Sequence, residues 1–430
     1  MKQHALTLAL VAIACWAQGQ PLASHTYPID TEATDFADLA FLRQEIGDRR
    51  IVALGEQTHG DGATFEARSR LVQFLMQEMD FEVVLYESGM LDMHVANEKM
   101  HAEGSVEALK KGLYPFWKQG EHDPLFTYWQ SRLDDGQPFT VGGFDAKHTS
   151  NYGFQNHRYT ELITSLFQAG NPDRMTHQHY QEYIEIWRTI EEVWQKPSIK
   201  RVSYKMNRSE KARLRELSQW VCEELHQMDQ PYWATLAHNL DEITIAYADV
   251  RIWKLLLNKK SIIPVNNRRD ELMANNLAYQ LATTYADKKV ILIGATYHFI
   301  RNNHQISPMD VQGIPVHEST IMGDLTYDQF QDEIYTIGFT AYQGTYGQVD
   351  EGKKASPVVQ PDKNSLEYAL VTQEYTQAFV SLQNAPRNDF WAGEPTIRLF
   401  DYETNTKSSH WHKVLDGVYF IKTMTPVVRR

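Results

Sequence analysis

Glu56 and His59 stand three residues apart in Gly55-Glu56-Gln57-Thr58-His59-Gly60, the types and spacing that proton transfer requires. A carboxylate beside an imidazole fixes its tautomer and raises its basicity. Such a histidine can take a proton from water, worth roughly a hundredfold to ten-thousandfold in rate. Further ionisable groups each follow an apolar run: Glu87 after Val83 to Tyr86, Asp145 with His148 after Phe139 to Phe144, and His298 after Val290 to Ile293. Taken singly, each is an ordinary cap, salt-bridge partner or structural histidine; gathered at one edge they make a site. Arg68, a helical turn or two beyond the first loop, is placed to stabilise the oxyanion that hydrolysis generates. The bulky segment Tyr114-Pro115-Phe116-Trp117 offers an apolar wall, with core filling as its plainer alternative. Tyr114, Trp117, Asp145 and Tyr297 are the candidate substrate contacts.

These side chains need elements that carry them to one place. Ile51 to Leu54 reads as a strand that breaks at Gly55 into the reactive loop. Asp61 or Thr64 can cap the following helix, on which Ala67, Leu71, Phe74, Leu75 and Met79 recur at helical spacing. Val83 to Tyr86 is the next strand. Parallel strands joined by right-handed crossovers have their carboxyl ends on one edge, and open parallel sheets bind ligands outside that edge. Glu56, His59, Glu87, Asp145 and His298 all fall there.

The rest of the chain supplies the frame. Phe36, Leu39, Ala40, Leu42 and Ile46 predict an amphipathic helix before the first strand, and helices are expected over Met90 to Met100, Val106 to Leu113 and Pro124 to Leu133. Residues 153–258 show long helical periodicity rich in Trp, Tyr, Glu and Arg, the pattern of a helical insertion subdomain. Its basic cluster of Lys200, Arg201, Lys205, Arg208, Lys211, Arg213 and Arg215, interleaved with Glu210 and Glu216, reads as a solvated helix face. The sheet pattern resumes with the apolar run Ile262 to Val265, a helix opened by Asn267 to Asp270, and the strands Val290 to Ile293 and Ile334 to Thr340. An exposed loop over Asp350 to Asn364, a late helix over Ser365 to Leu382 and closing strands at Thr396 to Phe400 and Gly417 to Lys422 complete it. The expected class is α/β, a mainly parallel sheet with flanking helices and a large helical insertion. Residues 20–152 and 259–430 would form one discontinuous catalytic domain.

Composition bounds the function. The 430 residues, 42% hydrophobic, suffice for a large core, and a formal charge of −13 argues against a nucleic-acid surface, which needs clustered Lys and Arg. No internal apolar run approaches the roughly 20 residues that span a bilayer. Met1 and Lys2, the apolar block Ala5 to Trp16 and the small residues Ala17-Gln18-Gly19 match a secretory signal over residues 1–19. The expectation is export to the periplasm or the exterior; a buried first helix and a lipoprotein signal at Cys15 are the alternatives. Without that segment only Cys222 remains, so no intramolecular disulfide forms.

The chain has no Gly-x-Ser-x-Gly elbow, Cys-x-x-Cys, phosphate-binding Gly-x-x-x-x-Gly-Lys-Ser/Thr or His-Glu-x-x-His helix. Hydrolysis by an activated water, without a covalent intermediate, is the economical chemistry. Gly55-Glu56-Gln57-Thr58-His59-Gly60, Arg68 and Tyr86-Glu87-Ser88 resemble the signature of the erythromycin esterase family. The likeness continues through Gly143-Phe144-Asp145, Arg269-Asp270 with Met273 and Asn276, His298, Met322-Gly323, Ile337-Gly338-Phe339 and Leu415-Asp416-Gly417. It implies a metal-independent, cofactor-free esterase acting on a small-molecule ester or lactone, with His59 as base, and Glu56, Glu87, Arg68 and His298 completing the site. One departure stands out. Macrolide-cleaving members typically carry a second histidine three residues before the one matched by His298, where this chain has Ala295. Two alternatives remain open on the residues: a metal-dependent hydrolase using Glu56, His59, Glu87, Asp145 and His298 as ligands, and a non-catalytic carbohydrate or small-molecule binder on the same scaffold.

Overall fold

The computed structural model describes residues 22–148, 158–195, 205–248, 250, 259–307, 310–311, 314–350, 352–383, 390–408 and 410–429. The expected signal segment, residues 1–19, lies outside them, as do Lys200 and Arg201. Short β-branched and aliphatic runs form the main sheet: β1 (Thr26–Pro28), β2 (Ile51–Leu54), β3 (Val83–Gly89), β4 (Thr140–Asp145), β5 (Val290–Ile293), β6 (Ile334–Tyr346), β7 (Gln377–Ser381) and β8 (Gly417–Met424). Their spatial order is β1-β7-β8-β6-β2-β5-β3-β4, and Ser356–Pro357 adds a short pairing on β6. From β8 to β4 every pairing is parallel, whereas β7 and β1 close one side antiparallel. Residues 51–54 are all buried, which is why β2 reads as an unbroken apolar run: a central parallel strand is covered on both faces.

Register makes the carboxyl edge level. Leu54 pairs with both Ile293 and Ile337, and Ile293 pairs with Tyr86. Glu56 and Glu87 therefore leave the sheet at nearly the same height. The chain also departs from β2 to opposite sides, toward β3 and β4 on one and β6 and β8 on the other, which opens a crevice at that edge. Gly55 is required there, because a Cβ would come within 2.2 Å of Thr296 Oγ1 beyond β5.

Four expectations need correction. Ile262 to Val265 is not a strand: an α-helix spans Ile263–Tyr279, with Pro264 in its first turn, where a missing N–H costs nothing. The late helix is only Leu366–Thr372, since Glu374 adopts φ 65° and the following residues pair as β7. Before β2 the helix is short, Leu42–Ile46, preceded by a 3₁₀ turn and by β1. Thr396–Ile397 pairs with Thr406–Lys407 and bridges from Thr396 to Ser365, outside the main sheet.

Packing holds the reactive edge firm. The helix Gly62–Glu78 buries Phe65, Leu71, Val72, Phe74, Leu75 and Met76 against the sheet; truncating Phe74 to Ala should cost about 3–5 kcal/mol. Beside the sheet, the helices Arg158–Gly170, Gln178–Gln195, Arg208–Gln227 and Pro231–Tyr247 share an apolar core of Tyr159, Phe167, Tyr183, Trp187, Leu214, Val221 and Leu240. Met90, Leu91, Ala146 and Leu272 belong to that same cluster, so the helical layer rests on elements that carry the crevice. Asn239 Nδ2 donates to Asn276 Oδ1 at 2.7 Å, and Asn276 Nδ2 to the Phe144 carbonyl at 3.1 Å, one residue before Asp145. Arg213 and Arg215 pair with Glu182, Glu216 and Glu242, as a solvated charged face requires. Among the described residues, no helix is long and apolar enough to cross a membrane.

Candidate active site

The turn after β2 brings Glu56 and His59 into contact. Glu56 is fully buried, and its Oε1 lies 2.5 Å from His59 Nδ1. Its Oε2 accepts from Arg68 Nη1 at 2.8 Å and from Trp117 Nε1 at 3.2 Å. Both carboxylate oxygens are thus assigned, and the group cannot turn away from the imidazole. The His59 side chain is 43% exposed and stacks on Phe116, with ring centroids 4.0 Å apart and planes 9° apart. Tyr114 continues the stack on the far side of Phe116 at 5.1 Å. Partial burial disfavours the His59 charge, but the Glu56 hydrogen bond and the charges of Glu56 and Glu87 outweigh it and raise the imidazole pKa.

A second set of charges closes the other side. Arg269, on the helix Ile263–Tyr279, donates through Nη2 to Glu87 Oε1 at 2.7 Å and to Asp145 Oδ2 at 2.6 Å, and through Nε to Asp145 Oδ1 at 3.2 Å. Glu87 Oε2 accepts the Ala295 N–H at 3.0 Å, and Oε1 lies 3.3 Å from His298 Nε2. His298 Nδ1 is 3.0 Å from Asp270 Oδ2, which also accepts the Met322 N–H at 3.1 Å. Burial opposes charge on both partners, yet the His298 and Arg269 charges hold Glu87 well below the usual carboxylate range. Asp270 and Glu87 overcome the same penalty at His298 and push it up to about 9. The two carboxylates thus favour the charged form of His298, whose Nε2 also lies 3.4 Å from Arg269 Nη1.

All five groups expected at the sheet edge meet there, and Glu56 is the carboxylate in contact with His59. Arg68 sits elsewhere than expected. It is 1% exposed, engaged by Glu56 and the Gly55 carbonyl and stacked over Phe65, so it braces Glu56 from behind and does not face the crevice. Trp117 is likewise buried and reaches the site through its N–H on Glu56; Phe116 is the open aromatic wall. Tyr114 lies beside Lys147, whose ammonium sits 5.6 Å above its ring, and burial pushes the phenol up to about 12. Tyr297 packs edge-on to His298 at 5.1 Å. Asp145 is clamped by Arg269. His148 pairs with Asp92 at 3.2 Å, beside the site. Asp61 stands at the helix start but makes no capping bond; its carboxylate folds back onto the turn.

Arg269 and Asp270 were missing from the expected site. Only Asp270 had a local signal: Asp270, Met273 and Leu277 fall on one helical stripe, and all three are buried, so a carboxylate lies on a core-facing side. Among the described residues, no group of three or more His, Cys, Asp or Glu side chains is arranged to hold a metal ion. Between Glu87 and Asp145 the cation is the Arg269 guanidinium.

Comparison with known proteins gives the family and the fold. The erythromycin esterase family model matches residues 76–424. The chain is 25% identical to YbfO of Bacillus subtilis (strain 168) over 94% of its own length and 90% of that protein's. It is 21% identical to erythromycin esterase type II of Escherichia coli, covering 90% and 93%. The crystal structure of a succinoglycan biosynthesis protein superposes with a TM-score of 0.74 at 17% identity, over 95% of this chain and 97% of that one, a likeness of fold. With a level parallel edge, a buried Glu56 on His59 and a family match across most of its length, the chain belongs to the erythromycin esterase family of hydrolases.

Proposed function

We propose that this hydrolase cleaves a carboxylic ester or lactone by direct attack of water, with His59 as general base and no covalent intermediate. The observation that carries the reading is the 2.5 Å contact between His59 Nδ1 and a Glu56 carboxylate immobilised by Arg68 and Trp117. With Nδ1–H held on Glu56, the lone pair is on Nε2 of a ring that reaches the crevice mouth. Nε2 takes a proton from water as the oxygen attacks the carbonyl carbon. The imidazolium then returns that proton to the departing alkoxide as the tetrahedral intermediate collapses. Glu56 and Glu87 stabilise the transient His59 charge. Arg269, 12% exposed at the site, is the cation set to meet the oxyanion, the part expected of Arg68, with His298 adding positive charge behind Glu87.

Phe116 and Tyr114 supply the aromatic side next to His59, with Lys147 over Tyr114 and Tyr297 edge-on to His298. Ala295 gives its backbone N–H to Glu87 and offers no side-chain donor at the position where the family resemblance implies a histidine in macrolide-cleaving members. The substrate screen therefore spans simple esters, lactones and acylated sugars beside macrolides, each with and without chelator. Expected is turnover of at least one ester or lactone, unchanged by chelator. Failure on every ester and lactone, or loss of turnover on chelation, would overturn the proposal. The export suggested by the N-terminal segment belongs with this reading, as a hydrolase acting outside the cytoplasm; fractionation of the expressing cells tests it.

A further inference from the structure

The turn that carries Glu56 and His59 is organised by a side chain of another residue. Asp61 is fully buried, and its Oδ2 accepts the backbone N–H of Gln57 at 3.1 Å and of Thr58 at 2.9 Å. Its Oδ1 accepts the Thr58 hydroxyl at 2.8 Å, and Thr58 Oγ1 accepts the Gly60 N–H at 3.1 Å. The amides of residues 57, 58 and 60, on both sides of His59, therefore end on this one acid–hydroxyl pair.

The outer side of the turn is pinned by the C-terminal half. Gly62 N–H donates to the Thr425 carbonyl at 2.8 Å, Gly347 N–H to the Gly60 carbonyl at 3.0 Å, and Gln348 Nε2 to the His59 carbonyl at 3.2 Å. Gly60 lies so close to Gly347 that a Cβ would come within 2.4 Å of its Cα. The ionisable groups facing Asp61 are Glu56 from the turn itself and Tyr402 and Tyr346 from the C-terminal half. Burial, reinforced by the Glu56 charge and opposed by the Thr58 and Tyr402 hydrogen bonds, pushes the Asp61 carboxyl up to about 7. Placing one carboxylate in the interior beside another destabilises the fold. What it secures is the geometry of four residues.

We propose that Asp61 is a positioning residue of the hydrolytic site: its carboxylate sets the turn that brings Glu56 Oε1 onto His59 Nδ1. It acts through the turn and touches no substrate. Only the activity readout below rests on His59 being the base; the His59 titration reads the geometry directly.

The test compares the full chain carrying Asp61→Asn, Thr58→Val, or both with wild type. The readouts are the His59 imidazole titration by NMR, kcat and KM on p-nitrophenyl acetate, and the thermal midpoint. Asp61→Asn should lower the His59 pKa toward 6.5 and reduce kcat about tenfold to hundredfold, with KM changed less than about threefold. Thr58→Val, at a half-buried position with no charge removed, should shift both in the same direction by less. The double variant should lose less than the product of the two single effects, because both act through one network. If the variants fold and His59 titrates as in wild type, Asp61 is packing only and the proposal fails. If Asp61→Asn does not fold, an unchanged His59 titration in Thr58→Val overturns it equally. Absence of ester hydrolysis by wild type would overturn the esterase reading while leaving the titration to decide the role of Asp61.

Discussion

Raising the pH from 6.5 to 9 should destabilise this protein through one buried group, His298. Its pKa is about 9 in the folded chain against an ordinary 6.5, because Asp270 and Glu87 hold its proton against burial. A group whose pKa is raised on folding contributes its full stabilisation below the unfolded value and loses it as the pH climbs through the folded one. At about 1.36 kcal/mol per pH unit, the window from 6.5 to 9 represents roughly 3 kcal/mol. Urea unfolding at several pH values across that window measures it. With a denaturant dependence of roughly 3 kcal/mol per molar, the midpoint should fall by about 1 M. Other groups contribute at the lower end: Asp61 and Asp241, both near 7, finish ionising there, and His59 loses its own smaller gain. The comparison that isolates His298 is therefore wild type against His298→Gln. The variant should be less stable at pH 6.5, and the gap should close toward pH 9. Parallel pH dependences for the two proteins would refute the assignment of a fixed imidazolium between Asp270 and Glu87.

Three further outcomes follow from the same contacts. Glu56→Gln removes the charge that raises His59, so the His59 titration should move to lower pH and turnover should fall at least about a hundredfold, measured by NMR and by initial rates. Arg269→Ala leaves Glu87 and Asp145 buried without their shared cation; it should cost about 3–5 kcal/mol at pH 7, with a smaller loss at acid pH as Glu87 protonates, read from urea curves at both. Asn207→Ala breaks a capping box in which Asn207 and Glu210 satisfy each other's end of the helix Arg208–Gln227; it should cost about 1 kcal/mol and leave turnover unchanged.

The sheet edge was legible because buried parallel strands write themselves as apolar runs, and each run here ends at a polar residue with work at the edge. Glu56 and His59 were legible as a pair because they share one turn. Arg269 was not, since its partners Asp145 and Glu87 lie 124 and 182 residues away in sequence and no local pattern links them. Arg68 was located on the correct helix at the edge of the apolar stripe; its burial against Phe65 and the Glu56 carboxylate comes from packing that periodicity does not carry. Strand β7 was hidden because Leu366, Leu370 and the apolar residues of β7 run on without a Gly or Pro, and the break is made by Glu374 in a left-handed conformation. Phe116 could not be told from Trp117 by type or spacing; depth separates them.

The pH dependence of kcat/KM for wild type and His59→Gln, on whichever ester proves to be turned over, tests the central claim most directly. The expected result is a wild-type rise centred above 6.5 that coincides with the His59 imidazole titration, and in His59→Gln the loss of that limb with a fall of about a hundredfold to ten-thousandfold. A variant that folds, turns over ester at the wild-type rate and keeps the same limb would contradict it.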